Sequence, residues 1–203
     1  MRRESSTVVV LAGEVTDGLL ARLAHSPNVS VARASAAPAP ETGAAAAPRP
    51  GWEQGALAMQ EAARRRSTYV IVPDDPLAQV AATWQEMWDV SGNHGPTEFE
   101  ARAAEALAAW QAKRFELPDY YLVIAPADGV GADPDFYLGP MHAARPRRVA
   151  VAGRAGGPDE AARFLDTLRS LEHGPWWPPL GELLDAARRF YAGGLAETQQ
   201  ALT

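Results

Sequence analysis

The amino-acid sequence predicts an α/β protein, a three-layer α/β/α sandwich with a mostly parallel sheet of five or six strands, Rossmann-like or flavodoxin-like. Two observations support this prediction. Continuous apolar runs such as TVVVLA (residues 7–12) and YYLVIA (residues 120–125) are typical of strands buried on both faces. Segments with apolar side chains at helical spacing separate such runs, and this alternation favours a parallel sheet with helices on both sides.

The first β–α–β unit occupies residues 7–31. Its first strand ends at Gly13, and Thr16 is placed to cap a helix, because its hydroxyl can accept a hydrogen bond from a free backbone N–H. The apolar face of that helix consists of Leu19, Leu20 and Leu23. Residues 29–31 are predicted as the second strand.

Residues 34–51, ASAAPAPETGAAAAPRPG, are rich in proline and alanine. They contain no large side chain whose burial could offset the entropy lost on ordering the chain. We interpret the segment as a disordered insertion in a single domain that spans residues 1–203. A linker between two domains is the alternative, but the α/β alternation resumes after it and the part before it is too small to form its own core.

The alternation returns with a predicted helix at 52–66 and a third strand at 68–72. The sequence Asp74-Asp75-Pro76 then begins another helix, since proline suits the first helical position and aspartate the position before it. The apolar stripe of this helix contains Leu77, Val80, Ala81, Trp84, Met87 and Trp88.

A second helix follows directly at 96–115, where Thr97 and Glu100 have the spacing of a capping box. The intervening segment, within MWDVSGNHGPTEFE (residues 87–100), places His94 near acidic side chains but is interpreted as a helix–helix corner. Two consecutive helices depart from simple alternation and could form a cap over one end of the sheet.

The C-terminal third continues the alternation. Its predicted elements are strands at 120–125, 136–138 and 148–152 and helices at 158–172 and 180–191. A proline-rich connector between the last two helices contains Trp176 and Trp177. Because WWPP cannot form a regular helix, at least one of these tryptophans is expected to pack against the body of the protein.

Composition excludes several classes of site. The chain has no cysteine, which excludes disulfides, zinc–thiolate sites, iron–sulfur clusters and a cysteine nucleophile, and favours a cytoplasmic location. The net charge of −6 argues against general nucleic-acid binding. No segment approaches the roughly 20 apolar residues that span a membrane, and the N-terminal apolar run is too short for a signal peptide. We therefore expect a soluble protein with neither a nucleic-acid nor a membrane partner.

The sequence contains none of the motifs that would identify a catalytic or phosphate-binding site. The chain lacks a G-x-G-x-x-G fingerprint, a G-x-x-x-x-G-K-[ST] loop and a G-x-S-x-G elbow. The four histidines are far apart, and none has a partner at the three- or four-residue spacing of a helical metal site. The sequence therefore predicts no metal site and no cofactor.

The loops after the strands are the predicted location of a site, because ligands of open α/β sheets collect beyond the carboxyl ends of the strands. The candidate catalytic residues are Glu14, Asp74, Asp75 and His94. The candidate ligand-binding residues are Gly13, Asp128, Gly153, Arg154 and Gly156. Near Arg154 the flexible glycines and a helix start would suit a phosphate group, with an ordinary turn as the alternative.

The two adjacent aspartates allow two interpretations. Asp74 and Asp75 could hold Mg²⁺ together with Glu14 or Asp128, since carboxylate oxygens are its preferred ligands. Alternatively, one aspartate caps the helix that Pro76 begins. We favour the cap, which leaves the second aspartate unexplained.

Two functions remain open at this point. The first is a non-catalytic accessory or regulatory protein that acts through a protein partner or a homo-oligomer, suggested by six tryptophans and the missing motifs. The second is an enzyme or binding protein for a nucleotide-like or phosphorylated small molecule. In it, Asp74 and Asp75 would contact a metal or a ribose hydroxyl, Glu14 would act as general base, and Arg154 would contact a phosphate. The first function predicts that Glu14, Asp74 and Asp75 line no common cleft.

Overall fold

A computed structural model describes residues 6–34, 51–88, 96–127, 136–157 and 159–201, with side chains as far as residue 193. These residues contain one sheet of five parallel strands, in the order β2-β3-β1-β4-β5. The strands are β1 (Thr7–Gly13), β2 (Val29–Val31), β3 (Tyr69–Val72), β4 (Tyr120–Ala125) and β5 (Val149–Arg154). The α/β prediction is confirmed, and the described part of the chain contributes no sixth strand.

The strand order places β1 at the centre of the sheet. It differs from the 3-2-1-4-5-6 order of dinucleotide-binding domains and from the 2-1-3-4-5 order of flavodoxin. Val10 of β1 pairs with Val72 of β3 on one side and with Tyr121 of β4 on the other. Tyr121 therefore lies level with the last residue of β3, although it is near the start of its own strand.

Helices cover both faces of the sheet. Alternate residues of the central strands face two separate apolar clusters, as expected for strands buried on both sides. One face, which we call the α1 face, is covered by α1 (Asp17–Ala24) and α6 (Glu160–Arg169). The opposite α7 face is covered by α2 (Gly51–Ala62), α3 (Ala78–Glu86), α4 (Pro96–Gln111) and α7 (Leu180–Ala201).

Two predictions from local sequence, the cap of α1 and the packing of a connector tryptophan, are confirmed. The backbone N–H of Leu19 donates to the Thr16 hydroxyl at 3.1 Å, so the predicted cap of α1 is confirmed. Trp177 is buried and donates its indole N–H to the carbonyl of Pro118 at 2.7 Å, whereas Trp176 is 47% exposed. One of the two connector tryptophans is thus the expected anchor.

The predicted strand at 136–138 is wrong. Residues Tyr137–Met141 form one turn of π-helix, followed directly by the short helix α5 (His142–Ala144). The N–H of Met141 donates to the carbonyl of Phe136, five residues earlier, at 3.2 Å. Aromatic residues favour strands when they are considered alone, but here tertiary packing decides: Phe136 meets the ring of Trp84 at 5.9 Å.

The predicted capping box of α4 is also wrong. Thr97 lies inside the helix, which begins at Pro96, and the Glu100 carboxylate accepts two hydrogen bonds from Arg188 of α7, at 2.8 and 2.6 Å. A charged partner 88 residues away outweighs the local contact that the spacing suggests.

Helix ends differ from prediction at several points. The helices α2, α4 and α6 are shorter than predicted, and α7 continues to Ala201. Of the predicted insertion at 34–51, residues 35–50 lie outside the described ranges, as do residues 89–95 of the predicted corner. None of the helices in the described residues is long and apolar enough to cross a membrane.

Candidate functional site

The topology brings the predicted site residues to one edge of the sheet. The chain leaves β1 toward the α1 face and leaves its neighbours β3 and β4 toward the α7 face. Such opposite departures from adjacent strands define a topological switch point, and ligands of open α/β sheets bind at such points beyond the carboxyl ends of the strands. Glu14 follows β1, Asp74 and Asp75 follow β3, and Arg154 ends β5. His94 and Asp128 lie outside the described residues.

Asp75 is the most distinctive residue at this edge. It is only 7% exposed, and its carboxylate accepts three hydrogen bonds. Oδ1 accepts from the backbone N–H of Leu77 at 3.0 Å and from the Tyr121 hydroxyl at 3.1 Å, and Oδ2 accepts from the Tyr137 hydroxyl. The predicted helix start at Pro76 with an aspartate cap is wrong, because α3 begins at Ala78, and Leu77 at its N-cap position receives no side-chain cap. Asp75 instead binds the backbone of the turn before α3 and joins β3 to β4 and to the π-turn. We call Asp75, Tyr121 and Tyr137 the Asp75 cluster.

The Asp75 cluster has unusual electrostatics. Burial raises the pKa of Asp75 to about 6, against the lowering effect of its hydrogen bonds from Tyr137, Leu77 and Tyr121. Burial, together with the charge of Asp75, raises the pKa of Tyr121 well above its usual value. The raised pKa brings the titration of the Asp75 carboxyl closer to neutral pH than that of an ordinary aspartate, as proton exchange with a ligand requires.

Packing holds the Asp75 cluster rigidly. The rings of Tyr121 and Tyr137 lie 5.2 Å apart, and Trp177 packs edge-on against Tyr121 at 5.7 Å. On the other side, α2 approaches the Asp75–Pro76 peptide so closely that a Cβ on Gly55 would lie 2.2 Å from the nitrogen of Pro76. A glycine is therefore required there, and the carboxyl has little freedom to rotate.

Asp74 has a different role from its neighbour. Its Oδ2 accepts the backbone N–H of Ala34 and its Oδ1 accepts the side-chain amide of Gln54, each at 3.1 Å. Asp74 thus ties the chain after β2 to α2, which accounts for the second aspartate. Both carboxylates are occupied by protein donors, and within the described ranges no group of three or more histidine or acidic side chains is placed to hold a metal ion.

Gly13 and Glu14 continue the pairing of β1 with β4. Gly13 has φ of +86°, and a Cβ there would lie 2.2 Å from the carbonyl oxygen of Ile124, so the close approach of β4 explains this glycine. Glu14 is exposed, and its carboxylate accepts the N–H of Ala127 at a long 3.4 Å. Of these two candidates, only the glutamate presents a polar side chain to the edge.

The candidates at the end of β5 and after it are likewise of two kinds, glycines that shape the backbone and one charged side chain. Gly153 and Gly156 have φ of +136° and +71°, values that glycine adopts without strain, and they let the chain turn from β5 toward α6. Arg154 is exposed, and its guanidinium makes neither a hydrogen bond nor an ion pair with any described residue. Its charge is therefore available at the edge of the sheet.

The sequence-based prediction missed Tyr121 and Tyr137. The predicted strands at 120–125 and 136–138 contain these residues, but a strand pattern alone does not show that a buried tyrosine hydroxyl needs a hydrogen-bond partner. A double tyrosine at the start of a fully buried strand was the available signal for a polar group in the core. It could not reveal that the partner is Asp75.

A broad groove of about 730 Å³ lies elsewhere, along β2 between α1 and α2. Its charged side chains already pair with one another: Arg33 contacts Asp17 at 2.7 Å, and Glu61 contacts Arg65 at 2.9 Å. None of the predicted site residues lines this groove.

The chain matches no protein-family model, no curated protein and no solved structure.

Proposed function

We propose that the protein binds a nucleotide-like or phosphorylated small molecule at the C-terminal edge of the sheet, as an enzyme or as a binding protein. The observation that carries this proposal is the Asp75 cluster, a buried carboxyl group with its pKa raised to about 6, held by two phenols beside the topological switch point. Strongly perturbed acids in α/β proteins are concentrated at functional sites. We retain the cytoplasm as the expected location.

The π-turn is a second support. Such turns are rare and occur frequently at functional sites, where they place a side chain that a regular helix would direct elsewhere. Here the turn begins at Tyr137, whose hydroxyl reaches Asp75. The turn before α3 uses only the bond from the Leu77 N–H, so the local backbone does not account for the two phenols.

The proposed chemistry uses the side chains at this edge. Asp75 would exchange a proton with a ligand hydroxyl, and Tyr137 would hold the carboxyl in place. Glu14 would accept a hydrogen bond from a ribose-like hydroxyl, and Arg154 would contact a phosphate, since a free guanidinium matches its oxygens. The ligand class is therefore one that combines hydroxyl groups with a phosphate.

Thermal unfolding with a panel of nucleosides, nucleoside monophosphates and sugar phosphates tests the proposal. A ligand present at ten times its Kd should raise the Tm by about 3–6 °C. Asp75→Asn and Tyr137→Phe should reduce this shift, whereas Asp166→Asn, a substitution in an exposed ion pair on α6, should leave it unchanged. The proposal is abandoned if no compound shifts the Tm, or if both cluster variants bind as tightly as the wild type.

A second candidate is the accessory or regulatory function through protein contact. Its support is a pair of large exposed apolar side chains on elements that touch, Leu138 on the π-turn (38% exposed) and Phe190 on α7 (42% exposed). A Cβ on Gly139, next to Leu138, would lie 3.3 Å from the Phe190 ring. If this surface mediates a homo-oligomer, Phe190→Ser should lower the molar mass measured by light scattering; a monomeric wild-type protein at all concentrations would exclude that form of the hypothesis.

A further inference from the structure

The opposite edge of the sheet has an unusual concentration of positive charge. Arg148, which directly precedes β5, is only 6% exposed. Its guanidinium lies between two aromatic rings, 5.1 Å from the centre of Tyr120 and 4.9 Å from that of Trp176. It donates to three backbone carbonyls, those of Asp119 (3.0 Å), Gly174 (2.7 Å) and Pro175 (3.1 Å).

Two further arginines lie beside it in the sequence ARPRR (residues 144–148). Arg145 donates to the carbonyls of Trp176 at 2.6 Å and Ala144 at 2.7 Å. Among the described residues, no carboxylate lies within 4.0 Å of the guanidinium of Arg145 or Arg148, and only Arg147 has an acidic contact, with exposed Glu172 at 3.2 Å. Three cations thus meet one contacting acid, in a chain whose net charge is −6.

A cavity of about 290 Å³ opens among these side chains, lined by Ala144, Arg145, Pro146, Arg147, Arg148 and Pro175. Each guanidinium carries five N–H donors. The carbonyl bonds of Arg148 use three of them and those of Arg145 use two. Both residues therefore retain N–H donors beyond those that hold the backbone.

We propose that this cavity is an oxyanion-binding site that takes a single phosphate or carboxylate group of a small molecule. Guanidinium groups bind either anion through paired N–H donors. The carbonyl bonds and the two rings fix the orientation of Arg148 in advance, so binding needs little reordering. Holding the connector between α6 and α7 explains the carbonyl bonds, but it does not explain why three arginines, two of them without an acidic contact among the described residues, line an open cavity.

Inorganic phosphate and acetate, titrated at constant ionic strength with chloride as the reference salt, distinguish the two sources of oxyanion. The main readout is the indole N–H signal of Trp176 in NMR, assigned by its loss in Trp176→Phe. We expect a saturable shift of this signal with at least one of the two anions. Phosphate also stabilises proteins non-specifically, so a Tm increase alone does not count as support.

Arg145→Gln and Arg147→Gln should each weaken binding about tenfold, since a charged hydrogen bond to an anion contributes about 1.5 kcal/mol or more. Arg169→Gln, in an exposed ion pair on α6, is the matched control and should bind as the wild type. Circular dichroism verifies that each variant folds. The absence of a saturable shift with either anion, or unchanged affinity in both cavity variants, overturns the proposal.

The site is independent of the proposed function at the C-terminal edge. Asp75→Asn should bind phosphate or acetate at the cavity as tightly as the wild type. If Asp75→Asn instead abolishes the Trp176 shift while the arginine variants retain it, the anion binds near the Asp75 cluster and the cavity proposal fails.

Discussion

The carboxyl and amino edges of the sheet each bury a charged group, of opposite sign, and stabilise it in the same way. At the carboxyl edge, the buried acid Asp75 is surrounded by hydrogen-bond donors, and no cation of the described residues contacts it. At the amino edge, the buried cation Arg148 is surrounded by hydrogen-bond acceptors and rings, and it contacts no acid within the part of the chain that the structure describes. Each charge is stabilised by dipoles rather than by an opposite charge.

The carboxyl group of Asp75 and the guanidinium of Arg148 respond differently to burial. A carboxyl group can relieve the cost of burial by taking up a proton, which is why the pKa of Asp75 rises to about 6. A guanidinium keeps its proton throughout the accessible pH range, so Arg148 stays charged and depends on its carbonyls. The carboxyl edge should therefore respond to pH, and the amino edge to the loss of a side chain or to an added anion.

Removal of Arg148 should have the largest effect. Arg148→Ala leaves three partly buried carbonyls without their donor and removes a side chain packed between two rings, so we expect a loss of about 3–4 kcal/mol in the free energy of unfolding. Urea denaturation measures this loss. Arg169→Ala, whose side chain is exposed, should cost less than about 0.5 kcal/mol. An equally small effect at Arg148 would mean that its bonds contribute little to the stability of the amino edge.

The pH dependence of stability should differ between wild type and Asp75→Asn. The folded pKa of Asp75, about 6, lies above the ordinary value of 3.8, so the folded state binds more protons between these two values. The stability of the wild type should therefore fall as the pH rises through this window, by roughly 3 kcal/mol relative to Asp75→Asn, and level off above it.

Urea denaturation of both proteins from pH 4 to pH 7 measures this difference. Asp74→Asn serves as the control, because Asp74 lies one residue away and forms different hydrogen bonds. If the free energy of unfolding changes with pH equally in the wild type and in Asp75→Asn, burial does not perturb the pKa of this carboxyl. The carboxyl edge would then be no more sensitive to pH than the amino edge.

The two phenols should differ in their influence on Asp75. The Tyr137 hydrogen bond lowers the pKa of Asp75 more than the Tyr121 hydrogen bond does. Tyr137→Phe should therefore raise that pKa further than Tyr121→Phe, and each variant should lose about 1 kcal/mol of stability. Carboxyl carbon NMR titration gives the pKa directly. A larger rise in Tyr121→Phe would reverse the ranking of the two donors.

Local chemistry determined much of the secondary structure. The runs TVVVLA and YYLVIA form β1 and β4 because β-branched and aromatic residues without polar alternation suit a strand buried on both faces. Thr16 caps α1 because its hydroxyl lies next to a free backbone N–H of the first helical turn, and Asp75 accepts the N–H of Leu77 in the turn that precedes α3. These signals act over two or three residues and can be read from the sequence alone.

Only the tertiary structure decided the strand order, the π-turn and the character of the site. The partners of Asp75 lie 46 and 62 residues away in the chain, and Arg148 binds carbonyls 26 to 29 residues away. The pKa of Asp75 depends on how completely water is excluded from it. The sequence could therefore indicate that an acid follows β3, but the fold made one of two adjacent aspartates a tether and the other a buried titrating group.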